Sequence, residues 1–401
     1  MSFGTSNRVA LRMVEESTWG TTPATPALEA IRFTSESLNY NADFTTSEEI
    51  RSDRMTPDTV QVSASSGGDI NGEWSYGTYD DFIAAACFSD WVTTGSDISA
   101  ASDIGITKTA GTPNTWALTS STTDLSAQSW TVGQFIAVSG FTGVNTIYAE
   151  IVGTPTANSV AIAPLADVAT IAAGDSVDIV ALEFVRNGVT KRSFTIQKAF
   201  TDLDTPEYQN FPGARIGGFQ ADMSTGSILG VTFPILAKDS AMTETQFAGA
   251  TFVPATTTTV LNAVNNVAAI SFDGDPAGSQ YYFTSMSFNL DNRLRGQEAI
   301  GTLGFIGVEG SRIDLTGSME LYFENSDLFD RFRATTAFSL SFMVADAAGN
   351  LYIVTLPRVK FSNMEIVAGG LDQDIFASSE FTAIINTAGT YQFQVSRLAA
   401  A

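Results

Sequence analysis

Histidine is absent from this 401-residue chain, and cysteine occurs once, at Cys87. The first absence removes Ser-His-Asp and Cys-His catalysis and the commonest metal ligand. The second excludes an intramolecular disulfide. Basic residues are scarce: 20 Lys and Arg stand against 43 Asp and Glu, for a net charge of −23. A surface this acidic repels phosphate backbones and anionic membranes, so specific nucleic-acid or membrane binding is not expected. No apolar run reaches the roughly 18 residues that a spanning helix needs. The opening "MSFGTSNRVALRMVEESTWG" has no sustained apolar run after a basic start, so no signal peptide is expected and assembly is placed in a cytoplasm.

Catalytic motifs are missing too. The pairs Glu15-Glu16, Glu48-Glu49 and Asp80-Asp81 diverge on any helix or strand, which suits solvated faces or a helix start. "DGDPAG" (273–278) opens like a calcium loop but lacks a third ligand and the closing Glu, so it reads as a hairpin turn. There is no phosphate loop and no Gly-x-Gly-x-x-Gly after a strand. The reading is of a non-enzyme with no catalytic residue, no metal and no cofactor. Cys87 reads as a buried thiol, and Trp74, Tyr76, Tyr322 and Phe323 as core or interface aromatics.

What the chain does have is strand signal. "TIYAEIV" (146–152), "SVDIVALEFV" (176–185), "SFTIQKAF" (193–200), "LYIVTL" (351–356) and "FTAIIN" (381–386) alternate polar and apolar residues between frequent Asn-Gly, Asp-Gly and Gly-Asn turns. Only two helices are expected. One is "TYDDFIAAACF" (78–88), capped by Thr78 with Asp80 and Asp81 in its first turn. The other is "SDLFDRFRA" (326–334), capped by Ser326, with Leu328, Phe329 and Phe332 on its apolar face.

The chain also repeats itself. "RFTSESLNY" (32–40) and "YFTSMSFNL" (282–290) share Phe-Thr-Ser-x-Ser-x-Asn at a spacing of 250. Glu48 and Glu298, Ile50 and Ile300, Asp80 and Asp330, and Phe82 and Phe332 keep that spacing. Further on, "FPGARIGGFQ" (211–220) matches "LPRVKFSNME" (356–365) at 145, with Arg215 answering Lys360. The change of spacing leaves about 105 extra residues in the first copy, after its helix. Their Ala-, Thr-, Ser- and Val-rich texture suggests a small β domain set into a loop. The expected plan is a discontinuous first module (1–90 and 186–250), an inserted β domain (91–185) and a second module (251–401). Each module holds a charged connection after its Phe-Thr-Ser strand, 41–61 and 291–307, of a length that marks a functional loop.

The order of motifs resembles the major tail tube protein of long-tailed, non-contractile bacteriophages. "VALRMVEESTWGTTPATPALEAIRFTSESLNYN", "TTSEEIRSDRMTPD" and "SGGDINGEWSYGTYDDFIAAA" carry the likeness, across residues 9 to 86. The resemblance implies an all-β protein of two tandem β-sandwich modules, each with one packed helix, plus the inserted all-β domain. It implies a structural virion protein that stacks as rings into a hollow tube conducting double-stranded DNA to the host, without binding it specifically. Its place is the virion tail, assembled in the host bacterial cytoplasm. Its partners are its own copies and other tail proteins: tape measure, terminator and tail tip. If a ring has six wall modules and each chain supplies two, three chains close it, so a trimer is favoured over a hexamer. Glu73, Asp222, Glu320, Glu324 and Glu365, each on an expected strand, are candidates to line the lumen. Glu48, Glu49, Arg51, Asp53, Arg54, Arg293, Arg295 and Glu298 are candidates for ring stacking. The competing class is a secreted or surface multidomain β-sandwich adhesin. A β-sandwich glycosidase stands third, since no carboxylate pair in an aromatic cleft announces itself.

Overall fold

The computed structural model describes residues 3–111, 113–276, 281–368 and 370–400. Its central element is one continuous antiparallel sheet of eight strands. In chain order these are β1 (Asn39–Thr46), β2 (Thr59–Glu73), β3 (Gly218–Ser224), β4 (Gly230–Ala237), β5 (Phe283–Asp291), β6 (Asp314–Tyr322), β7 (Leu351–Val367) and β8 (Phe376–Ala383). The spatial order is β1-β2-β4-β3-β5-β6-β8-β7. The first four strands follow the order 1-2-4-3, and the last four repeat it as 5-6-8-7.

The registers repeat as well. Asn39 faces Gly67 on β2, and Asn289 faces Thr316 on β6. Carried outward, Gly68 matches Gly317, Ile235 matches Phe381, and Phe219 matches Met364. The matched glycines share a cause. A Cβ on Gly68, whose φ is +149°, would lie 2.4 Å from the Ser37 carbonyl oxygen; one on Gly317 would lie 2.2 Å from the Phe381 ring. Neither strand could carry a side chain there.

Two long strands bend out of this sheet into a second layer. The strand Glu207–Ile216 runs through Gly217 into β3, and its first part pairs with Phe194–Phe200. The first part of β7 pairs likewise with Phe338–Ala345. Both pairings slip, between Phe194 and Ile196 and between Phe338 and Leu340. Pro212 and Pro357 sit in these bulges, where no ladder N–H is required. The outer layer is completed by Val9–Glu15 and Ala27–Ile31 on one side, and by Val267–Phe272 and Gln394–Leu398 on the other.

One core fills the space between the layers and crosses from one half to the other. On β3, Phe219 stacks on Phe233 of β4 at 5.3 Å and meets Phe288 of β5 edge-on at 5.2 Å. The junction is therefore packed like any other part of the sheet. The helices α1 (Asp80–Ala86) and α2 (Asp327–Ala334) follow β2 and β6 respectively, at the same place in each half. The expected caps are not made. Tyr79, not Thr78, is the N-cap of α1, and the Thr78 hydroxyl pairs with those of Ser75 (2.6 Å) and Thr256. Ser326 does precede α2, but its hydroxyl donates to the Asp330 carboxylate at 3.0 Å instead of accepting a backbone N–H. Cys87 closes α1, fully buried, and burial pushes its thiol pKa up.

Ile98 to Ala181 form a separate seven-stranded sheet with its own core around Trp116, Leu118, Phe141 and Ile162. It docks through Phe135 and Leu182 on Met343, Leu351 and Ile353 of the outer layer. The chain leaves it through Glu183–Arg186, which pairs with Gln394–Arg397 and so belongs to the large framework. Asp273 and Gly274 make the turn between Val267–Phe272 and Asp275–Pro276; Ala277 and Gly278 at the end of "DGDPAG" lie outside the described residues.

Candidate assembly surfaces

Strand alternation gives the eight-stranded sheet one buried face and one open face. Phe219, Ala221, Met286, Phe288, Met319 and Phe381 turn into the core. Their neighbours turn outward, and four of the five carboxylates expected to share a surface lie there. Glu73 is at the end of β2, Asp222 on β3, Glu320 on β6 and Glu365 on β7. The registers link them: Glu73 and Asp222 both face Gly230, while Glu320 and Glu365 both face Ser378. Glu324 does not join them. It follows the end of β6, in the turn before α2, exposed and off any strand.

The same face carries Asp43, Asp69 and Glu380, which the sequence reading did not single out. Asp69 and Glu380 were legible, because Asp69 shares strand parity with Glu73, and Glu380 with Thr382 of "FTAIIN". Asp43 was hidden inside a stretch read as loop. The hydrogen bonds of these groups are to neutral partners: Ser63 donates to Asp43 at 2.7 Å, Thr284 to Glu320 at 2.9 Å, and Gln220 to Asp222 at 3.0 Å. Among the described residues none of the seven forms an ion pair. Seven of the eight strands contain no Lys or Arg; only β7 does, with Arg358 ahead of its pairing with β8 and Lys360 opposite Thr382 at the start of that pairing. The face is thus a patch of uncompensated negative charge on a serine- and threonine-rich floor.

The candidate stacking residues form two separate groups. Strands β1 and β2 extend further than expected, so the first connection narrows to residues 47–58. Glu48, Glu49, Arg51, Asp53 and Arg54 all lie exposed on it. Arg51 donates to both oxygens of Asp53 at 2.7 and 3.1 Å, and Arg54 adopts a left-handed φ of 60°. The second connection is no open loop. Arg295–Gln297 pairs with Gly307–Glu309 as a hairpin, and the hairpin leans on the first half of the chain. Asn292 donates its side-chain amide to the Ala86 carbonyl at 2.7 Å, Arg215 donates to the Val308 carbonyl, and Lys191 pairs with Glu309. Arg293 is tied to Asp314, while Arg295 and Glu298 remain exposed.

Two further features are edges. Among the described residues nothing pairs with the outer edge of β1, and nothing pairs with the outer edge of β7 from Phe361 to Val367. Unpaired edges of this length are templates for another strand.

A framework of packed β layers, with one acidic open face and two unpaired sheet edges, is the build of a structural wall protein. Among the described residues no group of three acidic, Cys or His side chains could hold a metal ion. A family profile described as phage tail tube protein matches residues 6–383. The chain belongs to that family, a structural component of the bacteriophage tail. A search among curated proteins found no match.

Proposed function

We propose that this protein polymerises as stacked rings into the hollow tail tube that carries double-stranded DNA to the host, with three chains in each ring. The observation that carries the reading is the 1-2-4-3 order repeated as 5-6-8-7 within one unbroken sheet. Each chain then supplies two wall modules, 1–90 with 186–250 and 251–401, and three chains supply six. The inserted sheet, set into the first module, packs on the outer layer, away from the acidic face, which suits the tube exterior. The acidic face is the lumen wall. DNA carries one charge about every 1.7 Å of axis, so a basic wall would hold it and an acidic wall lets it slide. The exposed charges on 47–58, with Arg295 and Glu298, supply contacts between rings. Assembly takes place in the host cytoplasm, with the tape measure, terminator and tail-tip proteins as partners.

End-on electron micrographs of purified tubes, classified without imposed symmetry, test the count. Three-fold rings with six similar inner lobes are expected. Six-fold rings would retain the tube and overturn the two-modules-per-chain wall.

A further inference from the structure

The junction inside the chain is a template for the junction between chains. At the internal junction β3 pairs antiparallel with β5: Gly218 faces Asp291, Phe219 faces Leu290, and Gln220 faces Asn289. The repeat makes β7 the equivalent of β3, and β1 the equivalent of β5. Among the described residues of the single chain, these two strands have free outer edges. We infer that the last third of β7 in one copy pairs with β1 of the next, in the register of the internal junction; this rests on the ring reading above.

Carrying the registers across gives the contacts. Met364 takes the place of Phe219 and faces Tyr40. Glu365 faces Asn39, and Asn363 faces Asn41. Backbone donors settle the pattern. The Asn292 N–H bonds the Gly217 carbonyl at 2.8 Å, and the Thr225 N–H bonds that of Thr284 at 2.9 Å. Tyr40 with Met364 is therefore a hydrogen-bonded pair, and Asn39 with Glu365 a non-hydrogen-bonded one. The ladder stops below Asn39. The Leu38 N–H is bonded to Glu36 and its carbonyl to Lys198, both at 2.9 Å, so that residue has no edge group to offer.

Two asymmetries fit a missing neighbour. The segment that follows β5 folds over the end of α1, whose Phe82 to Ala86 are all buried. The equivalent helix α2 buries only Leu328, and its Phe329 is left 38% exposed. The segment that would cover it is the arm, residues 42–62, made of the ends of β1 and β2 and the connection between them; it carries Phe44, Val60 and Val62 more than half exposed. Charge agrees. Arg215 lies 3.8 Å from Glu309 of the covering hairpin. Lys360, its counterpart, forms no ion pair among the described residues, and the arm offers Asp53 and Asp58.

Cysteine cross-linking tests the register. A non-hydrogen-bonded pair brings Cα atoms to about 4.5 Å, within disulfide reach. Both sites are on the open face, so folding tolerates the change, and native Cys87 is buried. The double variant Asn39→Cys/Glu365→Cys, assembled and oxidised, should run as a covalent trimer on a non-reducing gel. The offset pairs Asn41→Cys/Glu365→Cys and Asn39→Cys/Asn363→Cys should stay monomeric. Normal tubes by microscopy with the first pair uncross-linked, or with an offset pair linked instead, would overturn the seam alone. A covalent hexamer would uphold the seam and overturn the three-chain count. A wild-type chain that never forms tubes would overturn the ring reading and the seam with it.

Discussion

Arg397 shows how single residues hold the two halves together. It comes from the last strand, yet its guanidinium reaches Asp80 at the start of α1 and donates to Glu183 at 2.8 Å. The Tyr352 hydroxyl donates to the same Asp80 carboxylate and accepts the Gly77 N–H at 2.8 Å. Burial holds the Asp80 carboxyl above the usual carboxylate range, against the opposing pull of Arg397. Arg397→Ala would strand that charge. Breaking a fully buried pair costs about 3–5 kcal/mol, and the residual solvent contact of both partners lowers the expectation to about 2–3 kcal/mol. The sign with pH follows. A carboxyl with a raised folded pKa binds more protons folded than unfolded, so its charge costs stability at high pH and the cost fades as pH falls. Loss of Arg397 raises that pKa further. Denaturant unfolding of the variant should show its largest deficit at neutral pH, shrinking toward pH 4. A deficit independent of pH would mean that Asp80 is not the stranded group.

The elements were legible in the sequence where one face had a core to bury. The alternation of "SFTIQKAF" and the apolar face of "TYDDFIAAACF" mark real elements because Phe194, Ile196, Phe82 and Ile83 are buried. The arm was not legible. Residues 42–46 and 59–62 pair as strands with neither face in a core, so their sequence alternates in nothing and reads as loop. Strand β7 was legible in two pieces, "LYIVTL" and the stretch carrying Glu365, and the bulge at Pro357, which needs no ladder N–H, joins them into one. The caps of α1 failed for a third reason: Thr78 has a better partner in Ser75, a contact no local pattern announces. The acidic face was partly legible, since strand parity groups Glu73 with Asp69, but sheet order alone brings β2 near β3. The arm has a testable role. Residues 45–57 are exposed almost throughout, so their deletion should leave the thermal transition near that of the wild type. Tubes should fail to elongate and leave single rings or short stacks in micrographs. Normal-length tubes from the deletion variant would remove the arm from ring stacking.

At the scale of the whole molecule, the net charge of −23 is arranged, not spread. Basic residues cluster where they hold the framework together: Arg192 with Glu15 and Asp81, Lys198 with Glu36, and Arg215 and Lys191 around Glu309. They are scarce on the open face, where seven carboxylates stand without an ion pair among the described residues. Neither stability nor solubility accounts for that pattern, because stability would gain from pairing those charges and solubility needs no single face. If the face lines a DNA conduit, its value lies in repulsion at many weak points at once. Glu73→Lys, Asp222→Lys, Glu320→Lys and Glu365→Lys together move the charge by eight units per chain, without touching the core. Tubes should still form, since all four side chains are on the open face of the sheet and, among the described residues, none pairs with a basic residue. Genome ejection from phage carrying the variant should slow, and more so at low ionic strength, where each lysine–phosphate contact is screened least. Ejection at the wild-type rate, from tubes of normal length and at every salt concentration, would remove this face from the path of the DNA.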